Sequence, residues 1–239
     1  MDHVDNLIVG AGVVGLAVAA KLSETQNVVV VEQESRFGEH SSGRNSEVIH
    51  AGLYYPSDSL KAKLCVRGKE LLYAHCQAYN VPHKRIGKLL LAQSDSDSEK
   101  LNGIYEQAHR NGVNELQYLT IAELTKRAPF VTASNALWSS STGIIDSHQY
   151  LLSLLHLIEK NQGSYVANTR FIDATSCHRG FKVRLAIDDE DYKLTCSNLI
   201  NAGIPLLASL ETLTQQLENK RLRQTVEELS RSVEAGESF

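Results

Sequence analysis

The sequence predicts an α/β fold, and three observations predict it. The apolar run Asn6-Leu7-Ile8-Val9 enters a turn with glycines at positions 10, 12 and 15. Val28 to Val31 is a second uninterrupted apolar run that ends on Glu32. After a mixed middle, the chain from Tyr150 onward returns to a helical stretch followed by strand-like ones. At 239 residues, 42% hydrophobic and 22% charged, the chain has enough apolar mass for a real core.

Residues 6–10 read as a buried strand, the stretch from Val13 to about Ser23 as a helix with small residues toward the sheet, and Val28 to Glu32 as the next strand. Strand, glycine turn, helix and strand form a βαβ unit with a right-handed crossover. A helix is expected from about Ser57 to Tyr79, with Leu60, Leu64, Leu71 and Leu72 among its apolar positions. A strand follows at Lys88 to Ala92. The Asp-Ser repeat at 94–98 reads as an exposed turn, and a helix runs from about Glu99 to Gly112. Ile121 to Arg127 is a short helix before Pro129, and the stretch around Ala136 to Ile145 is extended. Tyr150 to Lys160 is helical. Tyr165 to Ala174, Phe181 to Ile187 and Tyr192 to Ile200 read as strands.

The glycines carry the first chemical signal. Gly10 allows a tight turn out of the strand, Gly12 a close approach of backbone to a pyrophosphate, and Gly15 close packing of helix on sheet. The helix N-terminus then offers free N–H groups and a positive dipole end to phosphates. Strand before, helix after, and Glu32 lying 17 residues past Gly15 make a dinucleotide site the better reading than a bare glycine turn. Glu32 suits the ribose hydroxyls of FAD or NAD alike and would repel the 2'-phosphate of NADP.

Composition removes other classes. A formal net charge of -4 with scattered Lys and Arg supplies no field for nucleic acid. Cys65, Cys76, Cys177 and Cys196 are far apart and lack a C-x-x-C pair, and the nine histidines show no metal-ligand spacing, so neither a metal nor a disulfide framework is expected. The apolar start at Leu7 to Ala20 follows aspartates, holds three glycines and is shorter than the roughly 20 residues a bilayer needs. These point to a cytoplasmic protein, with peripheral attachment to an inner membrane left open.

Glu32, Gly38, Ser42, Asn45 and then Val48-Ile49-His50-Ala51-Gly52-Leu53-Tyr54-Tyr55 resemble the D-amino-acid-oxidase-like flavoproteins, and within them the L-2-hydroxyglutarate dehydrogenases and oxidases. Ser59 to Val66 and Gly87 to Ala92 are similar to segments of the same family. The resemblance spans about residues 4–203 and implies FAD as cofactor in a Rossmann-like domain. It also implies hydride transfer from C2 of an L-2-hydroxy acid, L-2-hydroxyglutarate first, while a base takes the hydroxyl proton. The electron acceptor it implies is oxygen or a membrane quinone.

On that resemblance, Gly10, Gly12, Val14, Gly15, Glu32, Ser41, Ser42, Asn45, Val166, Ala202 and Gly203 are the cofactor residues. His50 is the candidate base, set among small residues, or else a histidine that bonds backbone. Arg44 and Lys61, with Lys63 beside them, are candidates for a substrate carboxylate. Tyr55 reads equally as a substrate contact or a packing residue, as does Tyr54.

After Gly203 the pattern departs. Leu206, Leu210, Leu213 and Leu217, and then Leu222, Val226, Leu229 and Val233, repeat at helical spacing on either side of Glu218-Asn219-Lys220, which predicts a helical hairpin. Ala202 to Leu207 and Asn219 to Leu222 resemble the cytoplasmic helical domain of the inner-membrane platform proteins of type II secretion and type IV pili. The resulting expectation is a truncated or chimeric chain, formed by a fused or mis-joined reading frame. Residues 1–80 and 145–203 form a discontinuous FAD-binding domain, 81–144 an inserted, partial α+β substrate domain, and 204–239 the hairpin tail. Four readings stay open: an FAD oxidoreductase, an inactive flavin-binding fragment, a secretion or pilus binding module acting through the tail, and, behind these, an NAD-dependent enzyme.

Overall fold

The computed structural model describes residues 2–202, 223–228 and 231. In chain order its elements begin with β1 (Asp2–Val9), α1 (Val13–Leu22), β2 (Val28–Val31), β3 (Val48–Ile49), α2 (Leu60–Ala78) and β4 (His83–Lys84). Next come β5 (Lys88–Ala92), α3 (Asp95–Arg110), β6 (Leu116–Leu119), α4 (Ile121–Arg127), β7 (Asn135–Ser139) and β8 (Gly143–Ile145). The series closes with α5 (Ser147–Lys160), β9 (Ser164–Val166), β10 (Thr169–Cys177), β11 (Gly180–Ile187) and β12 (Glu190–Asn201). Residues 223–228 are helical, and the rest of the expected hairpin, with its resemblance to the secretion platform, lies outside the described residues. Among the described residues, no helix is long and apolar enough to cross a membrane.

The chain divides into two compact units, Met1–Asn45 with Ser147–Ser238, and Ser46–Asp146. The second unit therefore begins at Ser46, ahead of the boundary at 81 expected from sequence.

In the first unit a six-stranded sheet has the order β10-β11-β12-β1-β2-β9. β1 runs parallel to both β2 and β12, with Val9 opposite Val31 on one side and Asn201 on the other. That register brings Gly10, Glu32 and Ala202 out together at the carboxyl ends of three parallel strands, where α/β sheets hold their ligands. Ile8, Val28 and Val30 face Leu16 and Ala19 of α1 and Leu151, Leu154 and Ile158 of α5, all buried. Leu7 and Val31 point to the opposite face and join Val183, Leu185, Leu194 and Cys196. Both faces of β1 and β2 are buried, so these strands read as continuous apolar runs rather than alternating ones.

The stretch expected as one strand at 165–174 is two. β9 ends at Val166, Asn168 takes a left-handed conformation (φ 51°), and the Thr169 N–H donates to the Glu32 carbonyl at 2.7 Å. The chain there crosses the ends of the parallel strands before β10 starts the antiparallel meander.

The second unit packs the sheet β5-β7-β6 against α3 through Leu90, Ala92, Leu116 and Leu137 facing Leu101 and Ala108. The Asp-Ser repeat read as a turn is the first turn of α3. Ser94 caps it, its hydroxyl oxygen accepting from the Asp97 N–H at 3.2 Å, and the aspartates sit at the positive end of the helix dipole.

In α2 the leucines do not form the buried face. Leu60, Leu64 and Leu71 are 64%, 58% and 59% exposed, while Ala62, Lys69, Tyr73 and Cys76 are buried. The inward face is partly polar because its polar atoms are satisfied. Lys69 donates to the Ser141 hydroxyl at 3.2 Å and the Tyr73 hydroxyl to the Ser141 carbonyl at 3.0 Å.

α4 opens on a reciprocal cap. The Thr120 hydroxyl oxygen accepts from the Glu123 N–H, and the Glu123 carboxylate accepts from the Thr120 N–H and hydroxyl at 2.8 Å each. These bonds favour the ionised form and hold Glu123 below the ordinary 4.5. A carboxylate depressed in the folded state contributes stability that is complete above the unfolded value and fades as pH falls through the folded one. Thr120→Ala is therefore expected to cost about 1 kcal/mol near neutrality. In chemical denaturation series the gap to the parent should narrow as the pH falls below 4.5.

Candidate functional site

The glycine turn is built by contacts that exclude side chains. Gly10 has φ 98° and its N–H donates to the Val31 carbonyl at 2.8 Å. A Cβ on Gly15 would lie 1.9 Å from the Gly10 carbonyl oxygen, and one on Gly12 would lie 3.1 Å from the Ser42 hydroxyl oxygen. Gly12 caps α1 with no side-chain bond of its own, so the first-turn amides beyond that of Val13 are left to an outside acceptor. The Val13 N–H reaches the Ser42 hydroxyl oxygen at 3.0 Å.

These groups border a cleft of about 580 Å³ that is also lined by Val14, Glu32, Ser41 and Ala202. Glu32 is 8% exposed. One of its oxygens accepts the Ala11 N–H at 2.7 Å and the other the Glu34 N–H at 3.1 Å. A carboxylate has about four acceptor positions, so it holds the turn shut and keeps capacity for ribose hydroxyls. A cradle of backbone amides that a Cβ would fill, with a carboxylate fixed at its far end, fits the ADP half of FAD. Gly10, Gly12, Val14, Ser41 and Ser42 would border the phosphates and Glu32 the ribose.

The other residues picked from sequence fall as follows. Gly15 seats α1 against Gly10 rather than lining the cleft. Asn45 donates to the Ser42 carbonyl at 2.8 Å and so braces the loop from behind. The Val166 carbonyl accepts the Glu32 N–H at 2.9 Å. Gly203 lies outside the described residues. Sequence reasoning missed Gln33, Thr169, Phe171 and Ile172, which also line the cleft. Reading 165–174 as one strand concealed the crossing that brings the last three there, and the left-handed Asn168 is the available signal.

Arg44 belongs to the first unit and lines a different cavity, of about 460 Å³, with Arg36, Phe37, His148 and Tyr165. His50, Tyr55 and Lys61 belong to the second unit.

There the chain leaves β3 into a loop whose Ala51, Gly52 and Leu53 are buried while His50 is exposed. Gly52 has φ 90° and a Cβ there would meet Val66 at 2.8 Å. Side-chain amides of α3 hold the loop. Gln107 donates to the Tyr54 carbonyl at 3.1 Å and to that of Tyr55. Asn111, just past the helix, donates to the Gly52 and Tyr55 carbonyls at 3.3 and 2.9 Å. His50, Tyr54 and Tyr55 share a small cleft with Lys88 and Thr142. Lys61 lies 4.8 Å from the centroid of the Tyr55 ring, and Lys88 4.8 Å from that of Tyr54. The thiol of Cys65, near the His50 carbonyl, is pushed up by burial despite Lys69 and Lys61, and so is protonated near neutrality.

The family described as FAD dependent oxidoreductase matches residues 5–226. The chain is 46% identical over 155 residues to the mitochondrial L-2-hydroxyglutarate dehydrogenase of Arabidopsis thaliana, a match over 64% of this chain and 32% of that one. It is 34% identical over 198 residues to the Pongo abelii protein of the same name, over 82% and 47%. The chain thus spans about a third to a half of the curated relatives it matches. In structure it resembles the FAD-bound L-alpha-glycerophosphate oxidase of Mycoplasma pneumoniae, with a TM-score of 0.76, 25% identity, and coverage of 83% of this chain and 53% of that one. It shares the fold of the L-amino acid deaminase of Proteus vulgaris at a TM-score of 0.75, 16% identity, and coverage of 91% and 51%. With the family match running from the first strand through the glycine cradle to the end of the sheet, the chain belongs to the FAD-dependent oxidoreductases and FAD is its cofactor.

Proposed function

We propose that the chain takes part in the oxidation of an L-2-hydroxy acid, L-2-hydroxyglutarate above others, to the 2-oxo acid. The observation that carries this reading is the 34–46% identity to proteins curated as L-2-hydroxyglutarate dehydrogenases. FAD, when bound, supplies the hydride acceptor. The α1 amides would hold its pyrophosphate and Glu32 its ribose. In the second unit a ring nitrogen of His50 takes the proton from the C2 hydroxyl as the C2 hydrogen leaves with its electron pair, so that the C–O bond becomes C=O. The electron acceptor in this proposal is oxygen or a membrane quinone, in a cytoplasmic setting or at the surface of an inner membrane.

The test is anaerobic mixing of the FAD-loaded chain with L-2-hydroxyglutarate, followed at the oxidised flavin absorbance band. Bleaching is the expected result, and flavin that stays oxidised overturns the reading. The outcome set against it is FAD binding without turnover. Unchanged absorbance with retained flavin would select it.

A further inference from the structure

Just past the end of β2, one residue ties together the segments that wall the cofactor cleft. Glu34 does not line that cleft, whereas Glu32, Gln33, His40 and Thr169 do. The Glu34 N–H donates to a Glu32 carboxylate oxygen at 3.1 Å. Its carbonyl accepts the Asn168 N–H at 3.0 Å, at the crossing that delivers Thr169. One oxygen of its carboxylate takes two more bonds, from the Gln33 side-chain amide at 3.2 Å and from Nε2 of His40 at 3.1 Å. All of these residues belong to the first unit.

The backbone bonds need only a peptide at position 34, while the carboxylate bonds need this side chain. A carboxylate oxygen accepts, which assigns the ring hydrogen of His40 to Nε2 and leaves Nδ1 to an outside partner. His40 has little else to fix it, since it stands on a loop with its side chain 68% exposed. An imidazole left to several rotamers would have to be immobilised by the cofactor, and binding would carry that cost.

We propose that Glu34 is a positioning residue for FAD: its carboxylate fixes the His40 imidazole and the Gln33 amide in the cleft wall, where they meet the ADP half of the cofactor. This rests on the reading of the cleft as the ADP site. Both side chains share the cleft with Glu32 and with Val13 and Val14 of α1, so the group they meet is that half.

Binding is measured on the full chain, with FAD by fluorescence titration and ADP by isothermal titration calorimetry. Glu34→Ala is expected to weaken both ligands about 5-fold, roughly 1 kcal/mol at 1.4 kcal/mol per decade. Glu34→Gln keeps an acceptor and removes the charge, and should bring both affinities back to within about 2-fold of the parent. In a His40→Ala background, Glu34→Ala should add less than about 2-fold, because the group it positions is gone. A side chain that served stability alone would shift the denaturation midpoint and leave the affinities in place. Unchanged affinity in Glu34→Ala, a loss that Glu34→Gln does not restore, losses that multiply in the double variant, or a loss for FAD that ADP does not share each overturn the proposal. A parent chain that binds FAD and not ADP sinks the ADP reading of the cleft, a failure visible before any variant is made.

Discussion

Gly15→Val is expected to weaken FAD binding by at least about 100-fold, close to 3 kcal/mol at 1.4 kcal/mol per decade. The Cβ alone would stand 1.9 Å from the Gly10 carbonyl oxygen, and that neighbour is backbone, which has no rotamer to adopt. Relief requires α1 to lift from the turn. The same movement would displace the first-turn amides proposed to meet the pyrophosphate and the Ala11 N–H that Glu32 holds at 2.7 Å. Fluorescence titration of the refolded variant with FAD measures the loss. Gly68→Ala in α2 and Gly103→Ala in α3 serve as controls, because a Cβ at either meets nothing within 4 Å. Those changes should leave FAD binding alone and raise stability by up to about 1 kcal/mol through helix propensity. Retention of FAD by Gly15→Val at the parental affinity would show that the α1 terminus is not the phosphate cradle.

His50→Ala is expected to slow flavin reduction by L-2-hydroxyglutarate by about 10²- to 10⁴-fold, the usual contribution of a positioned general base. FAD affinity should remain within about 2-fold of the parent, since the α1 cradle is untouched. The separation is possible because the loop does not depend on the imidazole. Ala51, Gly52 and Leu53 are the buried residues, and Gln107 and Asn111 hold the carbonyls of Gly52, Tyr54 and Tyr55. Stopped-flow reduction with matched flavin loading reads the rate. A rate equal to the parent's would make His50 a loop residue with no part in proton transfer.

The glycine cradle was legible in the sequence because its requirements are local. A positive φ at Gly10 and the absence of a Cβ at Gly15 are properties of residue type, and the apolar runs around them have lengths that only a fully buried parallel strand explains. The segment 48–55 was legible for a different reason, a residue pattern similar to a known family, and the structure shows the amides of α3 that hold it. The helix at 121–127 was legible as a short stretch before Pro129, and the structure adds Thr120 and Glu123 as both halves of its cap.

Less was legible where two local solutions compete. The Asp-Ser repeat suits a turn and a helix N-terminus equally, and packing of Leu101 and Ala108 on the sheet extends α3 back to Asp95. The buried face of α2 was not legible in its leucines. That face went instead to Lys69 and Tyr73 because Ser141, 72 residues from Lys69, satisfies their polar atoms. Arg44 and Lys61 looked alike as carboxylate ligands, yet they belong to different units.

The sequence by itself determined the dinucleotide turn and the parallel strands on either side of it, since these follow from glycine positions and apolar runs, while the choice of FAD over NAD came from the resemblance of residues 32–55 to a known flavoprotein family. Only the tertiary structure decided which side chains meet at each cleft. The crossing at Asn168 carries Thr169 and Phe171 to the cradle, and the β5–β7 pairing places Lys88 beside His50 and Tyr54. Such meetings arise from contacts between residues far apart in the chain, whose energies depend on burial and satisfied polar atoms that no local pattern records.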